Sequence, residues 1–246
     1  AAAVGIELGA RGGIHAPVSA CASGAEAIAH GADLIALGRA DVVVAGGTDA
    51  ALHPMTVAAF GAMRALSTRN TDPRTASRPF APDRDGFVLG EGAGILVLER
   101  AYDVARPEPS GAEQERALRL ALERASLASS AVGHVNAHAT STPAGDVVEA
   151  GVLTKVVPDA AVSATKSATG HLLGGAGGLE AVLTVMALHE RWAPPTLLPA
   201  GVDPELTRLG LDVVGPRGRD LPALAAAAST SFGFGGHNVA LVFTRE

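Results

Sequence analysis

The sequence lacks several features that define common classes of protein. It has one cysteine, so an intrachain disulfide is impossible, and a reducing cytoplasm fits this usage. It has no apolar run of about 18 residues, the length that a membrane-spanning helix requires. Its 19 basic and 25 acidic residues give a formal charge of −6, and no run of lysine or arginine occurs. Nucleic acid and membrane are therefore not expected as partners.

Small and aliphatic residues dominate instead. Apolar residues make up 48% of the 246 residues and 30 residues are glycine, whereas aromatic residues contribute 3%. This composition predicts a large core in which helices approach sheets closely. Apolar spacing near 3.6 predicts helices over residues 23–37, 113–126 and 179–189. Short apolar runs predict strands over residues 41–45, 94–98, 134–138, 223–228 and 238–244.

Three segments have a more specific interpretation. The run 41–45 is apolar throughout, which is typical of a central parallel strand buried on both faces. The segment 64–85 is rich in arginine and proline, so we expect it to lie on the surface near a site. Residues 107–111 read Pro-Glu-Pro-Ser-Gly and form the clearest linker.

Two pairs of similar segments indicate an internal repeat. Residues 18–21 resemble 162–165, and residues 87–98 resemble 232–243, each of the latter a glycine-rich turn that leads into an apolar strand. Order and spacing agree as well as composition, which favours duplication over chance similarity. The sequence therefore predicts two related α/β halves.

Cys21 is the first candidate for chemistry. It follows an apolar segment, precedes the first predicted helix and has small neighbours that let a substrate carbonyl approach. A helix N-terminus stabilises a thiolate through the macrodipole and its free backbone N–H groups. A buried, inert cysteine is the alternative, and it is common in proteins.

His138 is the second candidate, at the end of the strand predicted over 134–138. Ligands of open α/β sheets bind at such strand ends. A histidine bonded to a nearby carbonyl group is the alternative. The hydroxyl groups of Thr140 and Thr142 either serve the same site or cap the next helix.

His171 is the third candidate, in a segment with unusually dense glycine before the helix predicted over 179–189. Glycine permits close approach of the backbone and positive φ angles. Lys166 and Glu180 flank this histidine and either support the site or form only a salt bridge.

Three other kinds of site fit these candidates poorly. A zinc site needs pairs of ligands at short spacing, which one cysteine and two histidines do not provide. A phosphate-binding loop needs the Walker spacing of Gly, Lys and Ser/Thr, which does not occur. A cysteine protease needs one histidine and an orienting amide, and it leaves a second histidine unexplained.

The candidates lie within segments that resemble the signature sequences of the elongating, synthase II-like β-ketoacyl-acyl-carrier-protein synthases of the thiolase superfamily. These segments are 19–24, 64–68, 85–94, 136–146, 166–174 and 231–238. They occur in the family's order and cover almost the whole chain. One cysteine with two histidines distinguishes this resemblance from thiolases and from initiating synthases. His237, in place of a frequent threonine, resembles the actinobacterial branch.

The resemblance implies a thiolase-like fold of two related α/β halves in a layered αβαβα arrangement. It assigns residues 1–104 to the C-terminal part of the first half, 105–111 to a linker and 112–246 to the second half. The family's further N-terminal segment, and its strand and longer connection between residues 102 and 111, are expected to be absent here. Ala139 replaces a more usual glycine.

The resemblance also implies a decarboxylating Claisen condensation in fatty-acid elongation. Cys21 accepts an acyl group, and the backbone N–H groups of Cys21 and Phe234 hold the oxyanion. His138 and His171 stabilise the enolate that forms when malonyl-acyl carrier protein loses CO₂. No metal or redox cofactor is implied, because decarboxylation supplies the driving force.

Supporting roles follow from the same resemblance. Lys166, counted with the catalytic residues, and Glu180 order His171 and its loop. Thr140 and Thr142 are grouped with Glu180 as supporting residues. The gate and acyl pocket are assigned to Phe232, Phe234 and Phe60. Docking of the acidic carrier protein is assigned to Arg64, Arg69 and Arg74 because they recur at intervals of five in a polar segment, and the resemblance places only Arg64 at the mouth where the phosphopantetheine arm enters. Internal salt bridges to Asp72, Asp83 or Asp85 are the alternative.

The implied partners are acyl carrier protein and a second subunit. A homodimer suits fatty-acid elongation, and a heterodimer with a chain-length factor suits a type II polyketide or polyene pathway with the same chemistry. A non-catalytic chain-length partner is the third function, and Cys21 argues against it because such partners lack the nucleophile. The sequence leaves acyl-chain length and pathway open.

Overall fold

The structure is a computed structural model that describes residues 1–99 and 111–245. The predicted linker 105–111 lies outside the described residues apart from Gly111. Among the described residues, no helix is long and apolar enough to cross a membrane.

The described residues form helices and strands that alternate along the chain. The helices are α1 (Ala2–Glu7), α2 (Ser23–Ala36), α3 (Pro54–Ala62), α4 (Gly111–Arg124), α5 (Pro143–Val156), α6 (Lys166–Thr169), α7 (Ala176–Glu190) and α8 (Pro204–Arg208). The strands are β1 (Val42–Asp49), β2 (Gly92–Glu99), β3 (Val132–Asn136), β4 (Ala161–Ser163), β5 (Trp192–Ala193), β6 (Arg219–Asp220), β7 (Ala226–Gly233) and β8 (His237–Thr244).

The three predicted helices are confirmed as α2, α4 and α7. Helix α2 keeps the predicted start, whereas α4 and α7 each begin two to three residues earlier than apolar spacing indicates. In α7 the extra residues are Ala176, Gly177 and Gly178, which are buried where the helix meets other backbone. Side-chain periodicity gives no signal there, because glycine has no side chain to place on a face.

The second half contains a four-stranded sheet in the order β4-β3-β7-β8. Strand β3 runs parallel to β4 and β7, and β8 runs antiparallel to β7. Strand β7 was predicted over 223–228 but lies further along the chain, because it pairs with β8 from Ala226–Thr244 through to Gly233–His237. Strand β3 ends at Asn136, which leaves His138 in the loop beyond the carboxyl end of the strand.

The prediction for the first apolar run was wrong in two respects. Strand β1 pairs antiparallel with β2, not in parallel, and it continues through the two glycines that were expected to end it. No described residue covers its outer face, on which Val42 is 54% and Val44 44% exposed. The inner face packs against α2 in a cluster that includes Ile28, Ala45 and Leu98. An apolar run does not specify which other segments cover its two faces.

The polar segment 64–85 is also more buried than expected. Phe80 is fully buried and Arg84 is 8% exposed. Arg84 reaches Asp203 at 3.0 Å and Asp146 at 3.6 Å, and it donates to three backbone carbonyl oxygens. Burial of an arginine is possible here because its charge is paired and its N–H groups are bonded.

The internal repeat is visible in two antiparallel strand pairs. Strands β1 and β2 pair through eight residue pairs, and β7 and β8 also pair through eight. Both second strands begin at the same point of the repeated sequence, since Gly92 and His237 are each the sixth residue of the similar segments. The other similar pair differs, because 161–163 is strand β4 whereas 17–19 is not a strand.

Helix α7 contacts β1, β2, β7 and β8. Its N-terminal turn meets the backbone of β1 and β2 directly. A Cβ atom added at Gly178 would overlap backbone atoms of Gly47 and Gly94, and one added at Gly94 would overlap the backbone of Leu179. Only glycine allows this approach, so the glycines of the β1–β2 pair and of α7 form a glycine seam (Gly47, Gly94 and Gly178).

Candidate active site

Cys21 lies in a single 3₁₀ turn (Ala20–Ala22) that leads directly into α2. The chain reverses at Ala20, which has a positive φ of 49°. The backbone N–H of Ser19 donates to the Ser23 hydroxyl at 2.9 Å, and that hydroxyl donates to the Ala20 carbonyl at 2.7 Å. Cys21 is 4% exposed and lines a cavity.

The tip of the β7–β8 hairpin lies against this turn. A Cβ atom at Gly233 would come within 2.6 Å of the Ser19 carbonyl oxygen and 3.3 Å of the Cys21 nitrogen. The backbone N–H groups of Phe234 and of Cys21 itself both stabilise charge on the Cys21 sulfur. These are the two groups that the resemblance assigns to an oxyanion hole, and the structure brings them together.

The pKa of the Cys21 thiol is raised, although a helix N-terminus by itself would lower it. Burial raises the pKa of Cys21 above its usual value of 9.0, and the opposing effects of Lys166 and the two backbone N–H groups only reduce this rise. Desolvation of a charged sulfur outweighs stabilisation by the helix terminus. The position of Cys21 before a helix is therefore not enough to predict the pKa of its thiol.

His171 is held in place by the segment that leads into β2. Its backbone N–H donates to the Val88 carbonyl at 2.7 Å, and its carbonyl accepts from the Gly90 N–H at 2.9 Å. The ring of Phe87 meets the His171 ring edge-on, with centroids 5.3 Å apart at 84°. The first half of the chain thus positions a histidine of the second half.

The backbone of His138 is held by residues of the second half. Its backbone N–H donates to Glu149 Oε1 at 2.8 Å and also lies 3.1 Å from Thr230 Oγ1. The Ala139 N–H donates to Glu149 Oε2 at 2.7 Å, and Ala139 has a positive φ of 23°. The Phe232 ring meets the His138 ring with centroids 5.9 Å apart at 67°.

The two histidine rings contact each other across the cavity. Their centroids are 5.4 Å apart and the rings are nearly perpendicular, at 86°. Burial, together with the positive charge of Lys166, lowers the pKa of both well below the usual 6.5. At neutral pH each ring is therefore neutral and offers one N–H donor and one acceptor.

Lys166 and Glu180 form a buried ion pair behind His171. Burial raises the pKa of Glu180 to about 7, although Lys166 acts against this rise. The Ser77 hydroxyl donates to the Lys166 carbonyl at 2.6 Å, and the Asn136 amide donates to the Glu180 carbonyl at 3.3 Å. The salt bridge that the sequence left open is thus present, and it faces the histidines.

A cavity of about 300 Å³ joins these groups. Cys21, His138, His171 and both threonines line it. The hydroxyl groups of Thr140 and Thr142 lie 3.1 Å from each other. Thr142 precedes α5, but its side chain makes no capping hydrogen bond, so helix capping does not account for it.

The three predicted gate and pocket phenylalanines lie at different depths. Phe232 and Phe234 line the cavity, and Phe234 is 50% exposed. Phe60 lies behind them, where its ring meets Phe87 at 5.2 Å and stacks on Phe234 at 6.4 Å. Phe60 is therefore a neighbour of the predicted gate rather than part of the described cavity wall.

The predicted docking arginines differ in the same way. Arg69 pairs with Asp83 at 3.0 Å and Asp85 at 3.6 Å, which is the alternative that the sequence left open. Arg64 and Arg74 are exposed and form no ion pair with another described residue. Two of the three positions are thus available to an acidic partner.

Several buried residues of the site were not predicted. Asp146 and Glu149 lie one turn apart on α5, and both hold backbone N–H groups of the loop that carries His138. Burial raises the pKa of Asp146 to about 7. Acidic residues on the buried side of a helix were the available signal. Phe87 and Gln114 also line the cavity without having been singled out.

Comparison with known proteins agrees with this geometry. The family description "Beta-ketoacyl synthase, N-terminal domain" matches residues 1–104, and "Beta-ketoacyl synthase, C-terminal domain" matches residues 89–198. Over 98% of its length the chain is 45% identical to 3-oxoacyl-[acyl-carrier-protein] synthase 2 of Synechocystis sp. and 42% identical to that of Vibrio cholerae. It spans 63% and 64% of these relatives.

Solved structures show the same fold. A type II polyketide ketosynthase in complex with its acyl-carrier protein superposes with a TM-score of 0.90 at 28% identity, over 100% of this chain and 66% of that one. A ketosynthase in complex with its chain length factor, from Xenorhabdus doucetiae, gives 0.89 at 28% identity, over 100% and 63%. With its thiolase-like fold and both family domains matched, the chain belongs to the β-ketoacyl synthase family.

Proposed function

We propose that this protein catalyses the decarboxylating condensation of an acyl thioester with malonyl-acyl carrier protein, giving a 3-oxoacyl thioester. The observation that carries the proposal is the convergence of Cys21, His138 and His171 on one cavity, with the backbone N–H groups of Cys21 and Phe234 directed at the sulfur.

In the first half-reaction the Cys21 sulfur attacks the acyl thioester of a carrier protein. Burial keeps most of the thiol protonated, so the attack proceeds from the small fraction of Cys21 that has lost its proton to solvent and is present as thiolate. The Cys21 and Phe234 N–H groups hold the oxyanion, each contributing about 3 kcal/mol in the transition state. The thiol of the first carrier protein then leaves.

In the second half-reaction malonyl-acyl carrier protein enters and loses CO₂. The electron pair of the broken bond forms an enolate, whose oxygen accepts hydrogen bonds from His138 and His171. The pair Lys166–Glu180 keeps a positive charge close to both rings, which opposes their protonation and keeps them neutral donors. The enolate carbon attacks the acyl-Cys21 thioester, and Cys21 sulfur departs from the 3-oxoacyl product.

Mutation of the three residues separates the two half-reactions. In the full chain, Cys21→Ala should take up no acyl group, as measured by the mass of the protein after incubation with acyl-carrier protein. His138→Ala and His171→Ala should still accept the acyl group but release little CO₂ from malonyl-carrier protein. His189→Ala is the matched control, because the His189 side chain is 72% exposed on α7. An acyl group on a serine, or normal CO₂ release by both histidine variants, contradicts the proposal.

Fatty-acid elongation is the pathway we favour. It rests on relatives of 42–45% identity that are named 3-oxoacyl-[acyl-carrier-protein] synthase 2. A polyketide ketosynthase is the second candidate, because the structures with TM-scores of 0.89–0.90 are ketosynthases, one of them of a type II polyketide synthase. The mass of the group retained on Cys21, from carrier proteins loaded with graded chains, decides between an elongating and a polyketide substrate.

Acyl carrier protein is the proposed partner, with a second subunit as in the two-protein complexes above. The exposed Arg64 and Arg74 are the proposed docking cations. Arg64→Glu should raise the apparent KM for carrier-protein substrates and spare a small thioester, because surface charges act mainly on encounter. Equal losses with both substrates assign Arg64 to the fold instead.

A further inference from the structure

Helix α4 carries a polar residue where its pattern calls for an apolar one. The buried face of α4 consists of Ala117, Leu118, Ala121 and Leu122. Gln114 lies three residues before Ala117 and four before Leu118, so it continues this face toward the helix N-terminus. Gln114 is the only glutamine of the sequence. Packing alone favours an aliphatic side chain at such a position.

The amide oxygen of Gln114 is buried without a hydrogen bond. Its Oε1 atom is shielded from solvent and accepts from no donor among the described residues. A buried acceptor without a donor destabilises a protein, whereas a Leu of similar size would carry no such penalty. A ligand with an N–H group removes the penalty on binding.

The cavity that Gln114 lines is the one that contains Cys21 and both histidines. Gln114 approaches it from α4, which packs against α5, and Thr142 and Gly145 from the start of α5 line the same wall. The Nδ1 atoms of His138 and His171 are also buried, and neither has a hydrogen-bond partner among the described residues. The cavity therefore holds unsatisfied polar groups contributed by α4 as well as by the loops that follow β3 and α6.

We propose that Gln114 accepts a hydrogen bond from an amide N–H of the thioester-bearing arm of the substrate, and so positions the arm in the cavity. This inference rests on the proposed function, in which the acyl group arrives on phosphopantetheine, whose chain contains two secondary amides. An arm of this kind supplies the N–H donor that Oε1 lacks. Gln114 is thus a positioning residue, distinct from the groups that act on the reacting carbon.

The test compares two thioesters that differ in their amides. The full chain is incubated with butyryl-pantetheine, which contains amides, or with S-ethyl thiobutyrate, which has none, and acylation of Cys21 is followed by mass spectrometry. Gln114→Leu should raise the apparent KM for butyryl-pantetheine about 3- to 10-fold, the effect of one lost hydrogen bond, and leave the saturating rate unchanged. Its reaction with S-ethyl thiobutyrate should equal that of the wild type.

Two further variants separate this role from a structural one. Gln114→Glu keeps an acceptor oxygen and should retain the wild-type KM for butyryl-pantetheine. Arg116→Leu places the same new side chain on the outer side of α4, where Arg116 is 64% exposed. It should leave the acylation of Cys21 unchanged with both thioesters.

Each remaining outcome overturns a defined statement. An unchanged KM of Gln114→Leu for butyryl-pantetheine, or an equal loss with both thioesters, rules out recognition of the amide. A KM of Gln114→Glu as high as that of the Leu variant rules out the acceptor role. A wild-type protein that takes no acyl group from either thioester overturns the proposed function together with this inference.

Discussion

The antiparallel strand pairs β1–β2 and β7–β8 have the same length but different surroundings. In β7–β8 the strands lie in a four-stranded sheet, and Ala227, Ala228 and Ala240 are fully buried. In β1–β2 one face packs on α2 and α7, while Ile95 is 50% and Val97 66% exposed on the other. Burial of a strand is thus a property of its neighbours more than of its own sequence.

Each of the two repeated segments also contacts one of the histidines. Phe87, which precedes β2, packs on His171, and Phe232, at the same place of the repeated sequence in β7, packs on His138. One aromatic ring from each half therefore supports one histidine. The repeat explains why two histidines are held in similar ways by otherwise different loops.

The largest expected effect lies at the third position of the second strand, which is Gly94 in β2 and Val239 in β8. Gly94→Ala should reduce the free energy of unfolding by about 3 kcal/mol or more, because the new Cβ overlaps the Leu179 backbone. Val239→Ala should cost about 2 kcal/mol, through loss of buried volume. Urea denaturation of both variants measures this, with Gly61→Ala as control, since Gly61 has open space. An equal loss of unfolding free energy in the Gly94 and Val239 variants would contradict the difference in packing between the two strand pairs.

A second difference concerns pH. The pKa of Cys21 is raised above 9.0, so the thiolate fraction, and with it the acylation rate, should increase about tenfold per pH unit between pH 7 and 9. The pKa values of His138 and His171 are lowered well below 6.5, so both rings stay neutral as pH falls from 9 to 6.5. Release of CO₂ from malonyl-carrier protein should therefore be flat over this range.

Single-turnover acylation and CO₂ release, measured across the same buffers, test this pair of profiles. A decarboxylation rate that falls with a midpoint near 6.5 means that the histidines are not held neutral. An acylation rate that is independent of pH from 7 to 9 means that Cys21 is already a thiolate, contrary to the effect of its burial.

The sequence predicted much of the fold because local signals and tertiary structure agree in most segments. Apolar spacing identified α2, α4 and α7, and the repeated segment identified the strands that became β2 and β8. The pairing of β1 and the depth of Arg84 were not predicted, because each depends on segments distant in the chain. Three of the site residues, Cys21, His138 and His171, were chosen from motifs, and the structure brings them to one cavity.

The unpredicted parts of the site have a common physical origin. The raised pKa of Cys21 comes from desolvation, which depends on everything packed around the thiol rather than on its position before a helix. Glu149 holds two backbone N–H groups from α5, a helix that apolar spacing did not identify, and Gln114 lines the cavity from the buried face of α4. In each case the available signal was a polar residue on a buried helix face. The motifs carried more weight in the sequence prediction.

An intermediate effect is expected at the paired phenylalanines. Phe87→Leu and Phe232→Leu each remove one edge-to-face contact with a histidine, a contact worth about 1 kcal/mol. Each should reduce CO₂ release about 3- to 10-fold through a less fixed ring, while acylation of Cys21 continues. Phe87→Leu should also lower thermal stability, because Phe87 is 1% exposed. If only one variant affects decarboxylation, the two histidines are not supported equivalently.

The smallest effect is expected at two alanines with positive φ, one beside each kind of reactive residue. Ala20 precedes Cys21 with φ 49°, and Ala139 follows His138 with φ 23°. Replacement by glycine should relieve backbone strain and stabilise each variant by about 0.5–1 kcal/mol. Thermal unfolding measures the gain, and a loss at either position means that the alanine methyl group contributes packing that exceeds the strain.

The glycine seam has a consequence for how the site tolerates change during evolution. Helix α2 begins just after Cys21, α7 begins five residues after His171, and the N-termini of both helices meet the seam. The close contact of bare backbone therefore sets the spacing between Cys21 and His171. A single methyl group inserted there separates the reacting groups by an amount on the order of 1 Å, enough to cost about 100-fold in rate. Residues of the cavity wall can therefore change with the substrate, whereas the glycines of the seam cannot be replaced without moving backbone.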